Sequence, residues 1–320
     1  MGFILYGGAM EPADKKRFTK SSESIPQLLA KLEGRGLTIP DPGQATHHLK
    51  FIGYYRLSAY MLPFQHQGTG EDRHQFQPGA SMDDVLDLYT FDRTLRLLVM
   101  DALERIEVAV RAAISDHMSL PYGGLWFQDP KLFKPGFDHP GFLARLKSEI
   151  GHESKDANRR HVHIRHYYDT YDAPYMPPSW MVFEALPFGV VSRTFGYLMD
   201  ADRKTISANF QMDDRVLHSA LHALSYLRNL CAHHARIWNR VFTIKPIIPR
   251  RLNALSAGNH QFYGLAVILQ DLLTTIVQNP HWAVKLSALL AQHPRVQEAA
   301  LGFQPGWRGA SHWNVPVSCP

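Results

Sequence analysis

In the stretch Leu227-Arg228-Asn229-Leu230-Cys231-Ala232-His233-His234-Ala235-Arg236, an arginine and a histidine stand five positions apart, and both side chains suit work on a phosphodiester. An unperturbed imidazole titrates near pH ~6.5, so His233 can take or give a proton under neutral conditions. The guanidinium of Arg228 can clamp the charge that builds on phosphoryl oxygens. Together they suit RNA cleavage in which the 2′-hydroxyl attacks the adjacent phosphorus and the 5′-oxygen leaves. Asn229 can orient the histidine or the phosphate. No carboxylate lies nearby in sequence to hold magnesium, so a two-metal mechanism would need ligands from elsewhere in the chain.

The periodicity predicts one helix over Asp213–Asn239 carrying this segment. At about 100° per residue, His222, Ser225, Asn229, His233, Arg236 and Arg240 share one polar face. Leu217, Ala220, Leu224, Leu227, Cys231, Ala235 and Trp238 make the opposite, apolar face. Arg228 falls on the border, roughly 140° around the axis from His233, so the two must flank a cleft or meet across two copies of the helix. His234 is expected to turn toward the apolar side and sit buried and hydrogen-bonded. The same residues equally suit an ordinary solvated helix face, and spacing does not choose between the two readings.

Two further constellations stand out. Arg111 and His117 repeat the arginine–histidine spacing, which would allow a composite site within one chain; the plainer reading is a Glu107–Arg111 helix pair and a histidine near a helix end. Arg159, Arg160, Arg165 and His166, interleaved with Tyr167 and Tyr168, can grip phosphates and stack on bases, or form a wet helix face. The flanking arginines disfavour a metal at the histidines of this segment, and no metal or other cofactor is expected. Glu184 is a candidate internal partner for an arginine.

These residues need helices to position them. The chain has 320 residues, 45% hydrophobic and 20% charged, enough for one large core or two ordinary ones. Charge is unevenly placed: from Arg215 onward ten Lys/Arg face only two acids, and between Arg215 and Gln270 there is no acid at all. Arg240, Lys245, Arg250 and Arg251 lie in that stretch, a composition that draws a polyanion such as RNA through its phosphates or simply aids solubility. Cys231 and Cys319 are the only cysteines, which excludes a disulfide framework and fits a reducing cytoplasm. No export leader or membrane span is expected, since no apolar run is long enough.

Ser24-Ile25-Pro26 and Asp41-Pro42 read as helix starts. The aromatic-rich stretch Gly53–Phe64 suits a short helix ended before Pro63 or a strand, and a loop over Gln65–Ala80 follows. Ser81, Asp83 and Asp84 open the clearest element, with Val85, Leu88, Leu95, Val99, Ala102, Ile106 and Val110 as its stripe, predicting a helix over Met82–Asp116. Further helices are expected near 140–150, 160–170, 179–186, 190–199, 260–278 and 281–293. With no alternating strands and no glycine-rich phosphate loop, the fold class is all-α. The organisation expected is a flexible segment 1–23, an aromatic-rich helical region 24–80, a helical core 81–250, C-terminal helices 251–301 and a loose tail 302–320.

The run from Leu227 to Arg240 resembles the signature of Abi-like proteins, the AbiD/AbiF type of bacterial abortive-infection systems. Gly53-Tyr54-Tyr55-Arg56-Leu57-Ser58, Tyr89-Thr90-Phe91-Asp92-Arg93-Thr94-Leu95-Arg96, Glu104–Arg111 and Pro177-Pro178-Ser179-Trp180-Met181-Val182-Phe183-Glu184 resemble the same family in the same order. The resemblance covers roughly residues 24–250. Pro187 departs from it, where the family tends to have serine, and should alter only a helix end. The resemblance implies a HEPN-type helical bundle with added N- and C-terminal helices. In such ribonucleases an arginine and a histidine separated by four to six residues carry the chemistry, which Arg228 and His233 satisfy. From their own chemistry and placement, Asn229, His234 and Arg236 are expected as supporting residues, with Arg240, Lys245, Arg159, Arg160, Arg165 and His166 toward RNA. The resemblance further implies a homodimer and a toxin-like role in phage defence, with an antitoxin or a regulatory RNA as partner. The rival reading is a catalytically silent module that binds RNA or a protein partner.

Overall fold

A computed structural model describes residues 21–66, 71–152, 154, 156, 160–278 and 280–314. Among them no strand occurs, only three isolated bridges, and the fold is all-α as the patterning predicts. No helix among the described residues is long and apolar enough to cross a membrane.

The chain divides into two units. One comprises the chain through Leu95 together with Ala288–Gln297; the other comprises Arg96–Ser287 and the chain from Glu298 on. The first holds α1 (Ile25–Gly34), α2 (Pro42–Phe51) and α3 (Tyr54–Met61) with the opening turns of α4 (Met82–Tyr122). Its starts are those the sequence marks. Ser24 and Gln27 form a reciprocal cap on α1, Asp41 accepts from Gln44 N at 2.9 Å on α2, and Ser81 and Asp84 cap α4. Leu57, Val85, Phe91 and Leu95 are fully buried there. Into this core Tyr60 points its hydroxyl, which donates to Asp92 Oδ2 at 2.7 Å, so the buried carboxylate is not left unsatisfied.

The second unit is larger. It contains the rest of α4, then α5 (His139–Glu149), α6 (Val162–Thr170), α7 (Ser179–Val182), α8 (Phe188–Tyr197), α9 (Asp200–Ala208), α10 (Asp214–Ala232), α11 (Phe262–Ile276) and the start of α12 (Trp282–Gln292). α11 is buried on every side from Phe262 to Leu273, as its continuous apolar sequence requires. α10 buries Leu217, Ala220, Leu224, Leu227 and Cys231, the apolar face read from its sequence.

Several expectations are corrected. α4 runs on to Tyr122, taking in Pro121 within its last turn, so His117 lies inside the helix and not at its end. α9 was not expected: Asp200 and Asp202 suit its first turn, but it has no side-chain N-cap, and half of its buried residues are the charged Asp202 and Arg203, an inversion of the usual pattern. The tail is not loose as far as Asn314. Phe303, Trp307 and Trp313 are buried with Tyr263 in an aromatic cluster whose ring centroids lie 4.6 to 6.2 Å apart. Glu184 is exposed and is no internal partner.

Because Tyr60 donates to a carboxylate with no access to water, Tyr60→Phe is expected to cost about 1.5–3 kcal/mol of stability. Chemical denaturation of the variant beside the parent checks this, and an unchanged midpoint would refute it.

Candidate active site

α10 is fixed at its start by a capping hydrogen bond and an ion pair, and along its length by close approach to α8. Asp213 accepts from Arg215 N at 2.9 Å, and Asp214 pairs with Arg203 of α9 at 2.9 Å. Where α8 crosses, Gly196 leaves room for His218: a Cβ there would stand 2.3 Å from its Nε2, so the imidazole would have to shift. Pro187, the departure noted in the sequence, is the N-cap of α8, and its extended φ and ψ fit that place.

The far end of α10 carries the candidate chemistry, and here the expected long helix is corrected. It stops at Ala232, with His233 as C-cap. His234 N donates to Cys231 O at 3.0 Å and Ala235 N to Leu230 O at 2.8 Å, the two bonds of a Schellman ending. His234 occupies the left-handed position at φ +56, usually given to glycine, and its side chain is exposed, so it does not turn into the core. Asn229 and His233 are exposed as well. Arg236 and Arg240 follow the reversal and cannot continue the polar stripe of the helix. Instead the chain runs back beside α10: Arg240 Nη2 meets the Tyr226 hydroxyl at 3.4 Å, and Ile247 N donates to Ser219 Oγ at 2.9 Å. Arg236 lies over the Trp238 ring at 6.0 Å, and the exposed Lys245 meets His260 Nδ1 at 3.0 Å.

Arg228 reaches toward α4. Its Nε lies 3.8 Å from Glu107 Oε2, too far for a hydrogen bond, and its side chain is 37% exposed. The other oxygen of Glu107 takes Arg111, whose Nη2 also donates to Leu186 O at 2.8 Å. Glu107 itself is only 11% exposed at its side chain. One buried carboxylate thus joins the arginines of both arginine–histidine pairs. Their histidines part ways. The ring of His233 has no hydrogen-bond or ion-pair partner among the described residues, whereas His117 Nε2 lies 3.0 Å from Asp202 Oδ1 on α9. Tyr122 shares Asp202 at 3.3 Å, and burial, then the negative charge of Asp202, push its phenol above the ordinary value. Sequence reasoning gave Glu107 only as a helix partner of Arg111 and missed Asp202; no local pattern marks a residue of α9 as facing α4.

The α6 cluster divides too. Arg160 is turned inward, donating to Gly151 O at 3.0 Å and Ser154 O at 3.0 Å and stacking on Tyr168 at 4.7 Å. Burial pushes the Tyr168 phenol up to about 12. Arg165 and His166 are exposed, and Arg159 lies outside the described residues. Nowhere among the described residues do three or more His, Cys, Asp or Glu side chains come together to hold a metal ion.

With the fold all-helical and these side chains placed, comparison with known proteins defines the class. The family model described as Abi-like protein matches residues 47–239, well over half of the chain, and the chain belongs to that family. Membership associates it with abortive infection. No curated protein and no solved structure matches it.

Two outcomes follow from the geometry of α10. His234→Gly should raise stability by about 1 kcal/mol, because glycine carries no left-handed penalty at that position; thermal melts read this, and a loss of stability would show that the imidazole contributes more than its backbone costs. Burial, then the positive charge of Arg203, hold the His218 imidazole below its ordinary value. Below about pH 6.5 the unfolded chain then takes up a proton that the folded chain refuses, so stability falls on acidification through that window and is retained above it. His218→Gln should flatten the dependence of the denaturation midpoint on pH below about 6.5. A slope identical to the parent's would refute this.

Proposed function

We propose that this Abi-like protein is a metal-independent endoribonuclease of the HEPN type, acting as a toxin-like effector of bacterial abortive infection. The observation that carries the reading is the pairing at the end of α10: Arg228 is anchored from its inner side by Glu107, and the exposed His233 has an imidazole with no protein partner among the described residues. An RNA phosphate brought to this end would meet a positioned cation and a group able to move a proton at neutral pH.

In the proposed reaction His233 takes the proton of the 2′-hydroxyl, and that oxygen bonds to the adjacent phosphorus. The bond to the 5′-oxygen breaks, leaving a 2′,3′-cyclic phosphate on one fragment and, after protonation, a 5′-hydroxyl on the other. Arg228 offsets the charge on the phosphoryl oxygens as it builds. Asn229, exposed one residue along, supports the phosphate, and Arg236, Arg240 and Lys245 extend the basic surface that the returning chain lays beside α10. A second copy of the chain would supply a second Arg228 and His233, and with them a proton donor for the leaving oxygen. His117 does not take that part within one chain in this reading, because Asp202 already engages it.

Purified protein incubated with total RNA in EDTA tests the assignment. His233→Ala and Arg228→Ala, each compared with the parent in protein that circular dichroism shows to be folded, should slow cutting by at least about 100-fold. Cutting that survives both substitutions would sink the site, and cutting abolished by EDTA alone would point to a metal-dependent enzyme.

A further inference from the structure

The geometry points to Glu107 as a positioning residue for cleavage, one that holds Arg228 in its working orientation while weakening the hold of the site on RNA. This rests on the reading of Arg228 and His233 as the reacting pair.

Three observations lead there. Glu107 is buried on α4 yet contacts Arg228 of α10 at 3.8 Å, so it acts on a residue far from it in sequence and on another helix. Its other oxygen is taken by Arg111, which is itself held by the carbonyl of Leu186 at 2.8 Å. The carboxylate is therefore fixed from behind, and Arg228 is the member of the chain left free to turn outward. Lastly, the Nε atoms of both arginines are buried without a hydrogen-bond partner. Arg228 is thus aligned by charge and not locked by hydrogen bonds, as a group must be if it is to give its donors to an incoming phosphate.

The consequence has two opposite signs. A fixed carboxylate beneath the guanidinium restricts its orientation before substrate arrives, and orientation settled in advance is what stabilises charge that develops only in the transition state. The same negative charge repels an RNA phosphate in the ground state. Removing it should therefore tighten binding and slow the chemistry together, a split that a loss of folding cannot produce, since a partly unfolded site weakens both.

Glu107→Gln and Glu107→Asp in the full chain, with circular dichroism and a melt to confirm folding, provide the test. Binding of a fluorescent single-stranded RNA and single-turnover cutting in EDTA are read side by side. Glu107→Gln is expected to cut at least about tenfold more slowly and to bind the RNA with equal or lower Kd. Glu107→Asp, which keeps the charge, is expected to recover part of the rate and the parental Kd. A folded Glu107→Gln that cuts at the parental rate while Arg228→Ala is inactive would overturn the role of Glu107 alone. Weaker binding and slower cutting in proportion to a lowered melting temperature, with no recovery in Glu107→Asp, would reduce Glu107 to a structural residue. Cutting unaffected by Arg228→Ala and His233→Ala would overturn the site reading and this inference with it.

Discussion

A carboxylate removed from water must be matched by positive charge, and in this protein the match for Glu107 comes from two helices at once. Alone, a buried anion of this kind would be too costly to keep, and the pairing with Arg111 on its own helix offsets only part of that. Arg228 completes the match from α10. The lateral placement of α10 against α4 is therefore tied to an electrostatic requirement as well as to the apolar face of Leu217, Leu224 and Leu227. Gly196 sets the approach on the other side, where α8 must come close enough that His218 fills the space a Cβ would take. The end of α10 inherits its position from these constraints.

How that end terminates decides what the basic segment can do. A helix continued to Asn239 would spread Asn229, His233, Arg236 and Arg240 along a rod. The Schellman ending folds them back, so that Arg240 meets Tyr226 and the chain from there to Ile247 lies along the helix it has just left. Positive charge that would have been drawn out over several turns is turned back toward Tyr226 instead. A histidine in the left-handed position, where glycine is the cheaper choice, shows that the backbone here is imposed by its surroundings. The proposed site is thus a helix terminus and the chain that returns beside it.

The second arginine–histidine pair shows the opposite use of the same residue types. Arg111 is spent on Glu107 and Leu186, and His117 on Asp202, so each is held by the interior or by α9. Equal spacing in sequence therefore leads to unequal availability in space. Membership of the Abi-like family covers both pairs, since the matched segment runs from residue 47 to 239, and does not choose between them.

Much of the secondary structure was legible from local chemistry. Ser24, Asp41 and Ser81 mark helix starts through their capping oxygens, and the stripe from Val85 to Val110 and the apolar face of α10 follow from period alone. Such features depend on neighbours within a few residues, which is the range that sequence pattern reports. α9 escaped because Asp202 is buried against His117, far away in the chain, and Arg203 against Asp214 of the next helix, and a polar residue satisfied on another element looks like a surface residue until the partner is seen. The tail escaped for the mirror reason: Trp307 and Trp313 find their apolar company in Tyr263 and Phe303, not in their own glycine- and proline-rich surroundings. At the site, the sequence by itself determined which residues could handle a phosphodiester, Arg228 and His233. Only the tertiary structure decided which arginine stays available to a substrate, because that turns on a carboxylate of another helix competing for both guanidinium groups at a distance no local pattern encodes.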